Sequence, residues 1–318
     1  MPPVSHRLRR LLTAIAALFV APASFASTLG FVTGDASVVL TDAGRRVGEF
    51  VHRDPKILRP YIAHLNAPGG IPVTRHHPPR PGQDPVDHEL MHPGVWMAFG
   101  DLSGQDFWRN RATIRHERFT AGPAVTDGVV GFTTESVLER SDGTPLGQMR
   151  LVLSLASRPA GYLLVWDATI IADEQDLVFG DQEEMGMGVR VATPLTETTG
   201  GTLTGSTGER TAKATWGRAF DWCDYSGPIG DRVVGIMLMP DPANFRPSWF
   251  HNRAYGLITA NPFGRKSMNQ GEVSVVRVPK GESLRLRFGV LLHTASPGAP
   301  TDLAAAYRDF LAQPSPRH

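Results

Sequence analysis

Apolar and polar residues alternate with a period of two along much of this chain, and no other feature constrains its fold as strongly. Met149, Leu151, Leu153 and Leu155 share one side while Arg150 and Ser154 take the other, and Leu284, Leu286, Phe288 and Val290 alternate with Arg285 and Arg287. Successive side chains of an extended chain face opposite ways, so such runs make half-buried strands. Val189 with Val191, Val273 with Val275, and residues 132–137 read the same way. Residues 162–171 are almost continuously apolar, as expected of a central strand covered on both faces. Ser141-Asp142-Gly143, Pro159-Ala160-Gly161 and Pro279-Lys280-Gly281 punctuate the runs as turns. With 33 glycines and 26 prolines in 318 residues, a helical bundle is disfavoured. One segment has helical spacing: Leu303, Tyr307, Phe310 and Leu311 share a face, with Thr301 and Asp302 at its start. No strand–helix alternation supports a parallel α/β fold. The expected fold is all-β: a large, mostly antiparallel two-sheet sandwich, supersandwich-like, with a short C-terminal helix.

Residues 1–26 have the layout of a secretory signal peptide. His6, Arg7, Arg9 and Arg10 make a basic start, residues 11–20 are apolar, and Ser24 and Ala26 stand at −3 and −1 of a cut after Ala26. The expected organisation is a leader at 1–26, one β-sandwich domain at 27–313 and a disordered tail at 314–318, in a periplasmic or secreted protein. The chain has 32 basic and 31 acidic side chains, and losing Arg7, Arg9 and Arg10 with the leader takes the net charge from +1 to −2. That balance lacks the basic footprint of a nucleic-acid binder. No second apolar stretch reaches membrane-spanning length, so no membrane association is expected after cleavage. Cys223 is the single cysteine and cannot form an internal disulfide; a buried, inert thiol is expected.

Two stretches resist a strand reading. Residues 66–93 hold seven prolines and four histidines, and residues 240–253 hold three prolines among Asn, Trp, His and Arg. Long irregular segments of this kind are commonly functional. The Thr/Gly-rich tract 196–208 reads instead as an exposed hairpin or loop.

Three constellations carry chemistry. In the first, Asp87-His88-Glu89-Leu90-Met91-His92, the letters match the H-E-x-x-H of zinc peptidases, but Pro85 and Pro93 argue for a loop rather than the helix that motif needs. The second places Glu183 and Glu184 at the entry of a strand carrying Arg190, which suits a carboxylate base or hydroxyl acceptor beside a guanidinium. The third, Asn244 through Tyr255, crowds amide, guanidinium, imidazole and indole groups together, the mixture a carbohydrate site needs. Trp96, Trp108, Trp166, Trp216 and Trp222 also fit core positions.

Further motifs include Arg59-Pro60-Tyr61, Gly94-Val95-Trp96-Met97-Ala98-Phe99-Gly100-Asp101, Gln105-Asp106-Phe107-Trp108 and Gly188-Val189-Arg190. To these are added Asp224-Tyr225-Ser226-Gly227, Pro242-Ala243-Asn244, His251-Asn252-Arg253-Ala254-Tyr255-Gly256-Leu257 and Asn261-Pro262-Phe263-Gly264. Together they resemble the bacterial family labelled "methane oxygenase PmoA", over most of the chain after the leader. A membrane subunit of a methane monooxygenase would need several apolar spans, which this chain lacks. The resemblance implies instead a β-sandwich similar to the galactose-mutarotase type and an association with sugar-processing oxidoreductases. The family run resembles D-H-P-H-H-R-G; here Met91 and Pro93 replace a His and an Arg, whereas His88 and His92 remain.

The functional expectation is an exported carbohydrate-active protein using acid/base catalysis of epimerase, mutarotase or lyase type on a sugar or oxidised sugar. Glu184, or else Glu183, would take a proton; His88 or His92, with His251 in reserve, would donate one. Arg190, Asn244 and Arg253, with Arg75 and Asp87, would hold hydroxyls, and Trp249, Trp96 or Tyr255 would face a ring. No cofactor or metal is expected. The alternatives are a non-catalytic carbohydrate-binding protein and a metal-dependent hydrolase using His88 and His92.

Overall fold

Strands dominate the chain in the order that the alternation predicts. The computed structural model describes residues 28–314; the expected leader at 1–26 and residues 315–318 of the expected tail lie outside them. β1 (Leu29–Thr33), β2 (Ser37–Asp42), β3 (Arg45–Val51) and β4 (Tyr61–Ala63) open one sheet. The two-residue strands β5 (Asn66–Ala67) and β6 (Ile71–Pro72) pair with each other before β7 (Val95–Phe99) returns to that sheet. β8 (Thr113–Thr126), β9 (Val129–Glu139), β10 (Pro145–Arg158) and β11 (Gly161–Ile171) follow as antiparallel neighbours in a second sheet.

β12 (Leu177–Phe179) leads into β13 (Met185–Arg190), which rejoins the first sheet. β14 (Thr202–Gly205), the single turn α1 (Ala212–Thr215), β15 (Cys223–Ile229) and β16 (Arg232–Pro240) come next. β17 (Trp249–Phe250), β18 (Leu257–Asn261), β19 (Val276–Val278), β20 (Ser283–Ala295) and α2 (Leu303–Ala312) complete the order. The first sheet runs β1-β2-β3-β4-β7-β13-β18-β17 and the second β14-β15-β16-β20-β11-β10-β9-β8, both antiparallel throughout. This is the expected two-sheet sandwich.

The main core fills the space between the sheets. Met149, Leu151, Leu153 and Leu155 of β10 enter it with Leu164, Trp166, Ala168 and Ile170 of β11. Leu163 and Val165 leave β11 on its other face, where Ala306 and Phe310 of α2 cover them. That double coverage is why residues 162–171 are almost continuously apolar, with Asp167 and Thr169 the exceptions. Asp302 caps α2 by accepting a hydrogen bond from the Ala305 amide at 2.8 Å. Cys223 is buried, as expected.

Two local expectations are corrected. Val273 and Val275 are 51% and 60% exposed and precede β19, which starts at Val276. Within the 196–208 tract, β14 pairs with β15 as the edge of the second sheet, and Thr196 is buried, with its hydroxyl 2.8 Å from that of Thr198. Alternation is short there, so the small polar residues concealed a strand.

The outer face of the first sheet carries a second packed layer. Trp96 on β7 stands opposite Tyr61 on β4 and Gly188 on β13. A β-carbon at Gly188 would lie 2.5 Å from Trp96 Cζ2, so only a glycine lets the indole lie across that strand. Trp108 meets Trp96 edge-on at 5.1 Å. These rings are the floor on which the polar loops rest. Among the described residues no helix is long and apolar enough to cross a membrane.

Candidate functional site

The residue that organises this face is Arg190, at the end of β13 and 1% exposed. Its two terminal nitrogens donate to the two carboxylate oxygens of Asp87, each at 2.9 Å, in a bidentate pair. Arg75 reaches the same loop, donating to the carbonyls of Pro85 at 2.9 Å, Asp87 at 2.7 Å and His92 at 3.2 Å. Arg75 is placed by backbone pairing, since its amide donates to the Arg190 carbonyl at 3.2 Å and Thr74 bridges to Val191. Burial, with the Arg190 charge adding to it and Asp87 opposing, pushes the Arg75 guanidinium down to about 10, so it stays charged at neutral pH.

Asp87 orients His88. The ring Nδ1 lies 2.9 Å from Asp87 Oδ2, and an ionised carboxylate can only accept there, so Nδ1 carries the proton. Burial works against the Asp87 charge, but the hydrogen bonds from Arg190 and His88 and the charges of Arg190 and Arg75 outweigh it, and the carboxyl sits well below its usual range. His88 is exposed, and its backbone is left-handed at φ 51°. The Met91 and His92 amides both donate to its carbonyl, at 3.0 and 2.9 Å, closing one turn between the two histidines. The helix required by H-E-x-x-H is absent, as the flanking prolines predict, but the single turn still brings both imidazoles to one side.

The two rings stack, with centroids 4.8 Å apart and planes 25° from parallel. Ring lone pairs lie in the ring plane, so stacked imidazoles aim side by side rather than at one ion. Among the described residues no three His, Cys, Asp or Glu side chains gather as metal ligands. Glu89 turns elsewhere, lining a cavity with Asp54, Tyr61 and His77. The stacked arrangement gives no support to His88 and His92 as joint ligands of one ion. His92 is buried between His88 and Trp96, whose ring it stacks on at 5.0 Å, and neither ring nitrogen has a partner. Burial first, then the charges of Arg190 and the neighbouring cations, holds it neutral. It supports His88 from beneath. Tyr255 adds a third ring, stacked on His88 at 5.7 Å with the Arg190 guanidinium 4.5 Å from its centroid.

A second ion cluster stands one strand away. Glu183 Oε2 lies 2.9 Å from the Arg253 guanidinium and 3.0 Å from His251 Nδ1. His251 pairs through the backbone with Thr259, opposite Gly188, and Arg253 bridges to Leu257, opposite Arg190. Register therefore sets the Glu183 partners in the two rows that carry Trp96 and Arg190. Contact with His251 is the main reason that the Glu183 carboxyl is held below its usual range; burial opposes and Arg253 assists. Burial lowers His251, with Glu183 partly compensating. Trp249 is half-buried two residues before His251.

Asn261 positions this carboxylate. Its amide nitrogen donates to the carbonyls of Gln182 at 2.7 Å and Glu183 at 3.0 Å, while its oxygen accepts from the amides of Phe263 and Gly264. In the sequence Asn261 stands out only as the first residue of Asn261-Pro262-Phe263-Gly264. An Asn at a strand end before Pro-Phe-Gly, facing an acidic turn, was the available signal.

Three assignments change. Glu184, expected as the first choice of base, is ion-paired with Arg109, itself 3.1 Å from Asp106, and has no contact with His88 or His92. Asn244 lies beside the second sheet, donating to the Arg287 carbonyl at 3.0 Å and accepting from its amide at 2.8 Å, so its polar groups are spent on backbone. Trp96 is fully buried beneath His92 and has no open face for a ring. The loops around 75–92, 183–190 and 251–255 do converge; the one around Asn244 does not join them.

The family model described as "Family of unknown function (DUF6807)" matches residues 37–308. The chain belongs to this DUF6807 family. The match does not extend to the label methane oxygenase PmoA that the motifs suggested. No curated protein matches the sequence significantly. Among solved structures, this DUF6807 chain is similar to a galactose mutarotase-like protein from Lactobacillus casei ATCC 334, with 10% identity, 83% of this chain and 100% of that chain covered, and a TM-score of 0.36. A galactose mutarotase related enzyme from Lactobacillus acidophilus gives 10% identity, coverage of 86% and 99%, and a TM-score of 0.34. A human-microbiome protein assigned as a kojibiose phosphorylase gives 6% identity and a TM-score of 0.35 over 88% of this chain, which spans only 32% of that one. Shared architecture of this kind does not assign chemistry, which has to come from the site itself.

Proposed function

We propose that this DUF6807 chain is an exported, carbohydrate-active protein whose acid/base pair is His88 and Glu183. The observation that carries the reading is the Arg190–Asp87–His88 chain, which ends in an exposed imidazole stacked on Tyr255, two residues along the chain from the Arg253 that pairs with Glu183. A buried guanidinium fixes a carboxylate, the carboxylate fixes the His88 tautomer, and the second ring nitrogen is left to meet a ligand. Glu183 is ionised and accepts either a hydroxyl proton or a hydrogen bond from one. Arg253 offers planar donors to hydroxyls, and Tyr255 and Trp249 offer aromatic faces for the apolar side of a sugar ring. Each positioned acid or base contributes about 10²–10⁴-fold. The basic-apolar-small layout of residues 1–26 supports export.

One observation favours a binding role without turnover. Glu183 is pinned by two partners that lower its basicity, which suits a hydrogen-bond acceptor better than a base. NMR exchange measurements on reducing and oxidised sugars separate the two readings. Turnover by the wild type that is lost in both His88→Gln and Glu183→Gln supports the acid/base role. Saturable binding without exchange leaves a carbohydrate-binding protein, and absence of both removes the sugar reading.

A further inference from the structure

A second cluster of histidines lies away from this site, where the end of β3 approaches β8. His52 follows β3 and His116 lies on β8; they are 7% and 6% exposed, with ring centroids 4.4 Å apart. Both nitrogens of His52 and Nδ1 of His116 make no hydrogen bond to the protein. Phe119 packs edge-on against both rings, at 5.2 and 5.0 Å, which fixes their orientation. The two imidazoles line a cavity of about 670 Å³ with Arg53 and the apolar side chains of Ile57 and Ile114.

We propose that this cavity is a binding site for a small organic anion, a carboxylate or a phosphate monoester, held by the N–H groups of His52 and His116 and by the Arg53 guanidinium. Buried polar atoms normally have partners, and unpartnered ring nitrogens beside one cavity point to a ligand: each neutral ring offers one N–H to an anionic head group, and the remaining lone-pair nitrogen of His52 suits a hydroxyl of its organic body. The other charges lining the cavity are committed. Asp54 accepts from the Tyr61 hydroxyl and the amides of Lys56 and Ile57; Arg59 donates to Asn110 and the Phe107 carbonyl; Arg115 pairs with Glu139 and Glu117. Among the described charged residues lining it, Arg115 is ion-paired while Arg53, Arg59 and Asp54 are not; Asp54 offsets one of the two guanidinium charges, so the net offer is one cation, with Arg53 the one that is exposed, and one N–H from each neutral imidazole. Burial first, then mutual proximity and the Arg53 charge, keeps His52 neutral, and burial and Arg53 do the same for His116. The same guanidinium repels a metal cation and attracts an anion. The volume exceeds that of an inorganic anion, and the apolar walls suit an organic body behind the charged head.

Calorimetric titration of the full chain with glucuronate, glucose 6-phosphate, inorganic phosphate and uncharged glucose tests this. The expected result is saturable binding of at least one organic acid at a single site, no comparable binding of glucose, and an affinity about tenfold or more weaker in Arg53→Ala. The preferred acid identifies the head group. Arg53 is exposed, so its loss leaves the packing intact; His52→Phe, which keeps a ring but removes the donors, should also abolish binding. Glu183→Gln should leave it unchanged, which separates this site from the one proposed above. The inference is overturned if none of the acids binds, if glucose binds as tightly, if both cavity variants retain full affinity, or if Glu183→Gln removes the binding instead.

Discussion

Arg190 grips Asp87 through two parallel hydrogen bonds of 2.9 Å across 103 residues of sequence. One partner is a buried strand residue and the other sits in a proline-bounded loop, so this contact ties the loop to the sheet. His88 then takes its orientation from Asp87.

Replacing Arg190 tests that hierarchy. Arg190→Lys keeps the charge but cannot form the two-point contact. The expected cost is about 1–3 kcal/mol, moderated because Asp87 is partly exposed, and it should appear in denaturant melts. Turnover or sugar binding should fall further than stability does, because His88 loses its orienting carboxylate.

The Asp87 carboxyl sits below its unfolded value, near 3.9. A depressed carboxyl binds its proton more readily in the unfolded chain, so its contribution to stability is present above about pH 4–5 and is lost as pH falls further. Asp87→Asn should therefore flatten the acid limb of the stability–pH curve while lowering stability at neutral pH. An unchanged acid limb would show that the pair with Arg190 does not persist in solution.

Glu183→Gln removes the group that opposes the effect of burial on His251. The His251 titration, followed by NMR, should move downward from its wild-type position. Glu184→Gln, acting at the Arg109 pair, should leave that titration in place and should retain sugar turnover or binding.

Gly188→Ala should be costly despite its size. The new methyl would meet Trp96 at 2.5 Å and Trp108 at 3.0 Å, both fully buried rings with little freedom to yield. Overpacking of this kind costs about 1–3 kcal/mol. A lower melting temperature with altered tryptophan fluorescence is the expected signature.

Burial pushes the Cys223 thiol up, out of the range in which it would form a thiolate at neutral pH. Native protein should resist a thiol reagent such as DTNB, and one equivalent should react once the chain is unfolded.

Local sequence determined the parts of this molecule that depend on local physics. Period-two alternation marked β10 and β20, the nearly continuous apolar run marked β11, and Asp302 ahead of a 3.6-residue pattern marked α2. Each of these signals arises from one segment meeting water on one face or on none. The candidate site was legible as residue types, since His88, Asp87, Arg190, Glu183, His251, Arg253 and Tyr255 come together. Roles within it were not. Glu183 and Glu184 are adjacent and chemically alike, and only the pairing of β13 with β18 gives one of them to His251 and Arg253 while Arg109 takes the other. Trp96 and Asn244 looked like ligand contacts because indoles and amides serve either a ligand or the fold. Which they serve depends on what packs above them: His92 over the indole, and the Arg287 backbone against the amide. Contacts between residues far apart in sequence arise only when the sheets close, so their energetics are decided by tertiary structure alone.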